Sequence, residues 1–502
     1  MPCVLRFEGV VLQKSLPALP GRPVIYHPRS IASHASPPSN KNLAPMTKSS
    51  QKAKSSAASP GLLSEGESNL SPQRSAWLEQ HVSAESRAWL DADAHVFLHQ
   101  SLSTPCLDVL GHAGGAEIEN LDGKRILDFH GNSVHQVGFG HPRVVAAVKR
   151  QLDELPFCTR RYTNVTAIAL AQKLAELAPG DLTKVLFAPG GSNAIGMALK
   201  VARAATGRHK TVSMWDSFHG ASLDAVSVGG ESLFRQNIGP LLPGTEHVPP
   251  PDPMHCPFDC GASCNLKCAR YVDYVLEKEG DVAAVVSETV RSTPYVPPGD
   301  YWRIVREACD RHGALLILDE IPTALGRTGA MFACEHYDIV PDMLVIGKGL
   351  GGGVYPLAAL IVREALDVSP DRALGHYTHE KSPVGCAAGL ATLGVIEDEG
   401  LLARARQLGE RAVARLREIA DSDTRIRDVR GIGLLLGVEL APESDAGASA
   451  LAETLMYRCL ARGLSFKISM GRIVTLAPAL TIEEQELERG LDILEQSLAA
   501  SA

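Results

Sequence analysis

Short apolar runs alternate with longer segments of helical spacing along most of the chain after Trp77. The segment 192–205 follows a glycine pair and repeats its apolar residues with the period of a helix. Alternating strands and helices predict a doubly wound, mainly parallel α/β sheet covered by helices. The strands are predicted at short β-rich runs, which are 210–214, 282–286, 314–318 and 343–346.

The pattern changes after Gly389, where a long Ala-, Leu- and Arg-rich helical stretch begins. Two strand-like segments follow it, 425–440 and 473–480, with helix between them. This predicts a small α+β C-terminal domain. The predicted organisation is an N-terminal segment (76–130), a large domain (131–388) with an insert at 249–278, and the small domain (389–502).

The first 75 residues differ from the rest, because they are rich in Ser, Pro, Ala and Lys. Residues 48–56 have no periodicity with which to bury a face, so a disordered tail is predicted over 1–75. Residues 1–45 contain one acidic residue, Glu8, against several basic ones. That composition is compatible with a weak targeting signal, and Met46 is an equally good candidate for the true start.

Composition and charge narrow the class of protein. The chain has 502 residues, 45% apolar and 21% charged, with a formal net charge of -8 and a pI near 6.1. It has no basic footprint for nucleic acid and no apolar run of the roughly 20 residues that span a bilayer. Eleven mostly scattered cysteines do not form a disulfide pattern. We therefore expect a soluble protein of a reducing compartment, the cytoplasm.

A lysine and an aspartate stand at the ends of two predicted strands. Lys348 follows the apolar run 343–346 and opens a glycine-rich stretch, and Asp319 follows the run 314–318. An amine and a carboxylate so placed can hold an aldehyde cofactor as a lysine Schiff base and keep its ring nitrogen protonated. This pattern points to pyridoxal 5'-phosphate, with Lys348 and Asp319 as catalytic residues.

Four motifs in order carry a resemblance to a known family. They are 187–195, 218–220, 319–329 and 347–349. Together they resemble the successive signatures of the class III (omega) aminotransferases, over roughly residues 90 to 495. The resemblance implies the fold type I architecture, pyridoxal phosphate, and a homodimer with active sites at the subunit interface.

Each motif also has a plainer reading. The start of a helix at Gly191, Ser192 and Asn193 suits a phosphate, although alone it is more often a turn or cap. Phe218 resembles the aromatic residue that stacks on the cofactor ring, where a lone phenylalanine would be core. The resemblance further implies contact with the cofactor for Asp319 at the ring nitrogen and for His219, Glu288, Ile321 and Lys348; Thr378 would reach the phosphate in the neighbouring subunit.

Three positions depart from the family pattern. Pro322 replaces a glutamine that members commonly carry, and Ser382 precedes Pro383 where His-Pro is usual, which makes the match at Thr378 partial. Thr475 stands where members acting on α-amino acids have an arginine. Because a threonine cannot form a bidentate pair with a carboxylate, we expect a substrate without an α-carboxylate at that place.

Further segments resemble a narrower branch, the (R)-1-hydroxy-2-aminoethylphosphonate ammonia-lyases. They are 129–138, 156–164 and the insert 249–278. The adjacent guanidinium groups of Arg160 and Arg161 are ordinary solvated charges by default, but they also suit a dianionic phosphonate. A phosphonate-directed ammonia-lyase is the first interpretation, an ω-transaminase is the alternative, and a non-catalytic binding protein is third.

The insert contains four cysteines, each separated from the next by three residues: Cys256, Cys260, Cys264 and Cys268. This spacing differs from the Cys-x2-Cys pairs of zinc ribbons. Metal binding, reversible disulfides and inert thiols all stay open, and no metal is assigned.

Overall fold

The computed structural model describes residues 70–260, 264–441 and 444–501. Most of the predicted tail lies outside these residues. Its last residues do not match the prediction, because a helix already begins at Pro72. The Ser71 side chain caps that helix by accepting from the Arg74 N–H at 3.0 Å, and Trp77 buries its ring beside Tyr457.

The helices and strands alternate through the large domain as the sequence pattern predicts. The strands are β1 (Leu110–Gly114), β2 (Glu117–Asn120), β3 (Arg125–Asp128), β4 (Leu182–Ala188), β5 (Lys210–Met214), β6 (Thr245–Val248), β7 (Val282–Glu288), β8 (Leu315–Asp319), β9 (Met343–Ile346), β10 (Ala358–Arg363), β11 (Ile426–Ile432), β12 (Leu435–Leu440), β13 (Leu464–Ser465), β14 (Lys467–Ser469) and β15 (Ile473–Leu476).

The helices cover the sheets and connect their strands. They are α1 (Pro72–His81), α2 (Ala84–Val96), α3 (Pro142–Glu154), α4 (Val165–Leu177), α5 (Gly191–Thr206), α6 (Leu223–Val228), α7 (Ser232–Arg235), α8 (Lys267–Glu279), α9 (Tyr301–His312), α10 (Pro383–Asp398), α11 (Leu401–Ser422), α12 (Asp445–Ala461) and α13 (Glu484–Ala499). Short 3-10 turns occur at Gly131–Ser133, Ala333–Tyr337, Lys348–Gly351 and Glu364–Leu366.

The central sheet has the order β4-β10-β9-β8-β7-β5-β6. The pairs from β9 through β6 are parallel, and β10 is antiparallel to both its neighbours. Strands β7, β8 and β9 are almost entirely buried, which explains their continuous apolar sequences. The predicted α/β fold with a mainly parallel sheet is confirmed.

Two smaller sheets flank this core. One has the order β1-β2-β3-β13, and the other, β11-β12-β15-β14, is antiparallel throughout. The predicted strand-like segment 425–440 is in fact a hairpin, since the chain turns at Gly433, whose φ is +54°. The segment 473–480 is a strand only to Leu476. The predicted domain limits stay predictions.

The parallel strands bring chemical groups to one edge of the central sheet. Glu288 and Asp319 end β7 and β8 and are register partners. Strand β9 lies beside β8 and leads through Gly347 into Lys348. Strand β4 leads into the N-terminus of α5 at Gly191. Because ligands of open α/β sheets bind beyond the carboxyl ends of the strands, this edge is the candidate site.

Candidate active site

Lys348 occupies a constrained position directly after β9. Its φ is +44°, a left-handed conformation that costs energy for any residue with a side chain. A Cβ on Gly347 would meet Ala358 at 3.3 Å, and one on Gly349 would overlap the Gln136 amide. Burial lowers the pKa of the Lys348 amine, and the charge of Asp319 partly opposes that shift. The backbone at Lys348 is therefore closely constrained, and its amine loses a proton more readily than that of an exposed lysine.

Asp319 is almost fully buried and is fixed through both carboxylate oxygens. Its Oδ1 accepts the Ile321 N–H at 3.0 Å, and its Oδ2 lies 2.8 Å from Nδ1 of buried His219. His219 Nε2 lies 3.5 Å from the Ser213 hydroxyl. A carboxylate held in this way keeps its direction without a mobile side chain, as a partner for a ring nitrogen requires.

The start of α5 is closely packed, and two glycines there leave no room for a side chain. The Ser192 Oγ accepts the Ala221 N–H at 3.2 Å. A Cβ at Gly220, whose φ is +125°, would stand 2.1 Å from that oxygen, and one at Gly191 would stand 2.5 Å from Ile321 Cδ1. Glycines are therefore required at both places, and Gly191 lines a cavity at the N-terminus of α5, a position that suits an anion.

Two cavities meet at Lys348. One of about 350 Å³ is lined by Pro189, Gly190 and Gly191, and by the segment 353–357. The other, of about 460 Å³, is lined by Phe218, Glu288 and the residues named below. Phe218 packs against Phe234 with ring centroids 4.3 Å apart. An anion cradle on one side of the lysine and a larger cavity on the other fit a phosphorylated aldehyde cofactor and its substrate.

The larger cavity carries charges that the sequence interpretation missed. It is lined by Asp216, Glu231, Arg291 and Lys467. Arg291 lies 3.4 Å from a Glu231 oxygen and 3.7 Å from a Glu288 oxygen. Burial raises the pKa of Glu288, and Arg291 opposes that shift. Lys467 interrupts an apolar run, and that interruption is the signal that could have drawn attention to it.

His130 also lines this cavity, beside Asn132 and Ser133. Burial, together with the positive charges of Lys467 and Lys348, lowers the pKa of His130 to about 4. The imidazole is therefore neutral at physiological pH and can accept or donate a hydrogen bond in the cavity without adding charge.

Three residues proposed from sequence lie away from this cavity. Arg160 is exposed and pairs with Glu380 at 3.2 Å, with its Nη1 3.1 Å from His376 Nε2. Arg161 and Thr378 are exposed as well. The structure thus brings together Lys348, Asp319, His219, Ile321, Phe218, Glu288 and the start of α5, and separates Arg160, Arg161 and Thr378 from them within one chain.

The cysteine insert is anchored through a histidine and not through its thiols. His255 Nδ1 lies 2.8 Å from Asp252 Oδ2, and its Nε2 lies 2.9 Å from an oxygen of buried Glu439. The cysteines of the described ranges are free thiols, and burial raises the pKa of Cys268 to about 11. Within those ranges, no three His, Cys, Asp or Glu side chains are grouped to hold a metal ion. A helix long and apolar enough to cross a membrane is likewise absent from them.

Comparison with known proteins identifies the family. The Aminotransferase class-III sequence model matches residues 100–498. The (R)-1-hydroxy-2-aminoethylphosphonate ammonia-lyase of Vibrio splendidus is 46% identical over 454 residues, 87% of this chain and 95% of that protein. The leucine/methionine racemase of Thermococcus litoralis is 35% identical over 399 residues, 77% of this chain and 89% of that protein.

The solved structures agree with the sequence relatives. An amine transaminase from an uncultivated Pseudomonas species, in its PLP-bound form, shares 29% identity with a TM-score of 0.76, over 81% of this chain and 99% of that one. The cofactor predicted from Lys348 and Asp319 is confirmed, and so is the predicted fold. The chain belongs to the class III aminotransferase family, whose cofactor is pyridoxal phosphate.

Proposed function

We propose that this protein is a pyridoxal-phosphate-dependent ammonia-lyase that converts a 1-hydroxy-2-aminoethylphosphonate to phosphonoacetaldehyde and ammonia. The observation that carries the proposal is the 46% identity to an ammonia-lyase of that name across 95% of its length. The family alone does not decide the reaction, because relatives named as racemases and aminotransferases share it. Thr475 in the cavity wall supports a substrate without an α-carboxylate.

The residues around Lys348 fit the cofactor, and its proposed contacts follow from their positions. The N–H groups of Gly191, Ser192 and Asn193 would bind the phosphate at the start of α5. Phe218 and Ile321 would contact the two ring faces, and Asp319, held by His219, would bind the ring nitrogen, with Glu288 beside it. When bound, pyridoxal phosphate supplies the aldehyde that takes up the substrate amine and a ring that accepts an electron pair.

Lys348 would move the proton that starts the reaction. Because burial lowers the pKa of its amine, Lys348 loses its proton more readily than an exposed lysine, and its neutral form can take a proton from the carbon that bears the substrate nitrogen. The electron pair left behind would expel the hydroxyl from the neighbouring carbon, and with one proton the hydroxyl would leave as water. The Lys348 amine would then replace the substrate nitrogen at the cofactor aldehyde carbon and release an enamine. The free enamine would become an imine, and one water would hydrolyse it to aldehyde and ammonia.

A homodimer is part of the proposal. Arg160, Arg161 and Thr378 lie on the exposed surface, away from the cavity of their own chain. In a symmetric dimer, the same residues can contribute to the partner's site. This supports the prediction that Thr378 reaches a cofactor phosphate across the interface. The cytoplasmic location stays a prediction.

The test is sustained ammonia release without an amino acceptor. The purified protein with pyridoxal phosphate is incubated with 1-hydroxy-2-aminoethylphosphonate and no keto acid, and ammonia and phosphonoacetaldehyde are measured. Many equivalents of both per site are expected, whereas 2-aminoethylphosphonate should release none because it has no hydroxyl to expel. No ammonia without keto acid, at most one equivalent of an aldehyde that keeps the hydroxyl, and steady amino transfer once pyruvate is added would establish the ω-transaminase alternative instead, because transamination leaves the amino group on the cofactor.

A further inference from the structure

Two strands of the β11-β12-β15-β14 sheet present a row of polar side chains to the Lys348 cavity. Lys467 of β14 is the register partner of Thr475 of β15, so their side chains point to the same face of the sheet. Ser469 lies two residues after Lys467 and shares that face. The Thr475 hydroxyl donates to the Ser469 Oγ at 3.1 Å. All three line the cavity of about 460 Å³, and we call them the β14–β15 polar face.

Lys467 carries a charge that the protein does not pair. Within the described part of the chain, its ammonium makes no hydrogen bond and no ion pair within 4.0 Å. The other cation of this wall, Arg291, is already held between Glu231 and Glu288. The Lys467 side chain is accessible from the cavity, yet protein atoms surround it closely enough for desolvation to lower its pKa. An anionic ligand would supply the missing partner.

The chemistry of the polar face favours one kind of anion. A carboxylate is matched best by the planar fork of an arginine, and Thr475 cannot provide one. A tetrahedral phosphonate has three oxygens in different directions, which suit a compact ammonium beside a hydroxyl donor. Ser469 and Thr475 are each 5% exposed. The Thr475 hydroxyl donates to the Ser469 Oγ and orients it, so the Ser469 hydroxyl keeps its own hydrogen to donate to a ligand with little reorganisation.

We propose that Lys467, Ser469 and Thr475 form the subsite that binds the phosphonate group of the substrate, with Lys467 as the residue that determines specificity for it. The inference rests on the proposed function for its substrate class. It differs from the assignment of the anion site to Arg160 and Arg161, and the two assignments make separable predictions.

Equilibrium binding to the protein with its cofactor tests the subsite without turnover. Three ligands are compared: 2-aminoethylphosphonate, β-alanine as a carboxylate and ethylamine without an anion. Binding is followed through the change in the cofactor's visible absorbance. Lys467→Met should weaken the binding of 2-aminoethylphosphonate by about 10- to 100-fold, the usual range for the loss of one charge-assisted contact. Its affinity for ethylamine should stay within about twofold, because ethylamine does not use the subsite.

Further variants separate the roles within the face. Lys467→Arg should restore most of the affinity for the phosphonate. Thr475→Arg should increase the affinity for β-alanine relative to 2-aminoethylphosphonate. Lys149→Met is the matched control, because Lys149 is exposed on α3 and lines neither cavity at Lys348, and all three dissociation constants should be unchanged.

Several outcomes would overturn the subsite. Unchanged phosphonate affinity in Lys467→Met, or an equal loss for ethylamine, would remove its role in anion binding. A loss on Arg160→Ala or Arg161→Ala, with none on Lys467→Met, would transfer the subsite to those arginines. A wild type that prefers β-alanine to 2-aminoethylphosphonate would refute the ligand class. Failure of the lyase proposal would appear separately, as selective phosphonate binding without sustained ammonia release.

Discussion

Replacing His255 by glutamine should weaken the attachment of the cysteine insert to the β11-β12-β15-β14 sheet, and the size of the effect should depend on pH. His255 lies between the carboxylates of Asp252 and Glu439, and these raise its pKa from 6.5 to about 9. The protonated imidazole is therefore stabilised by folding. At about 1.4 kcal/mol per tenfold change, that difference corresponds to about 3 kcal/mol. Because 27% of the side chain is exposed, solvent screening reduces the expected contribution to about 1–3 kcal/mol.

The sign of the pH dependence follows from the raised pKa. Stability from His255 is fully present below pH 6.5, where the imidazole is charged in both folded and unfolded chains, and is lost as the pH rises through about 9. Asp252 and Glu439 have lowered pKa values, so their stabilisation is lost only in acid. The insert should therefore be held most firmly from about pH 5 to about pH 8.

Limited proteolysis of the insert measures this effect. Proteinase K cleavage within residues 249–267 follows the population of the locally open form, normalised by cleavage of an unstructured peptide at each pH. At pH 7, His255→Gln should be cleaved about 5- to 100-fold faster than the wild type, and this ratio should fall several-fold by pH 9.5. His112→Gln, at an exposed histidine on β1, serves as the control. Equal rates at pH 7, or a ratio that does not change with pH, would refute the reasoning.

Other predictions concern the cofactor site. Lys348→Ala should hold pyridoxal phosphate noncovalently and release ammonia about 10²- to 10⁴-fold more slowly, the usual effect of losing a general base; unchanged turnover would contradict its assignment. Asp319→Asn removes a buried charge worth a few kcal/mol and should lower kcat by roughly 10²- to 10³-fold in a steady-state assay. Gly220→Ala would bring a Cβ within 2.1 Å of the Ser192 Oγ and should weaken cofactor binding in equilibrium dialysis by tenfold or more.

The sequence predicted where the strands end, but it could not predict which residues pair across neighbouring strands. Lys348 and Asp319 follow continuous apolar runs, and in a parallel sheet such runs end at the same edge, so their meeting follows from local pattern. Lys467 and Thr475 meet only through the register of β14 and β15, which depends on the turn between them and on packing. A one-residue shift would point Lys467 to the opposite face.

The sequence also could not predict the direction in which charged side chains point. Two adjacent arginines, Arg160 and Arg161, suggested an anion site, but charge alone does not show whether a side chain faces a cavity or solvent. Within one chain, Arg160 pairs with Glu380, and the anion site at Arg160 and Arg161 stays a prediction. Gly433 turns the segment 425–440 into a hairpin, and the strand-like residues on both sides of that turn led to the prediction of one continuous segment.

The insert contacts the β11-β12-β15-β14 sheet on the same side as the β14–β15 polar face. Glu439, which binds His255, is the register partner of Ile473, two residues before Thr475, so side-chain alternation places Glu439 and Thr475 on one face. Arg430 lies 2.9 Å from Glu439 and also packs over the Tyr295 ring. Arg291 packs over that ring as well and reaches the cavity. A contiguous series of charged and aromatic contacts therefore runs from the insert to the substrate cavity.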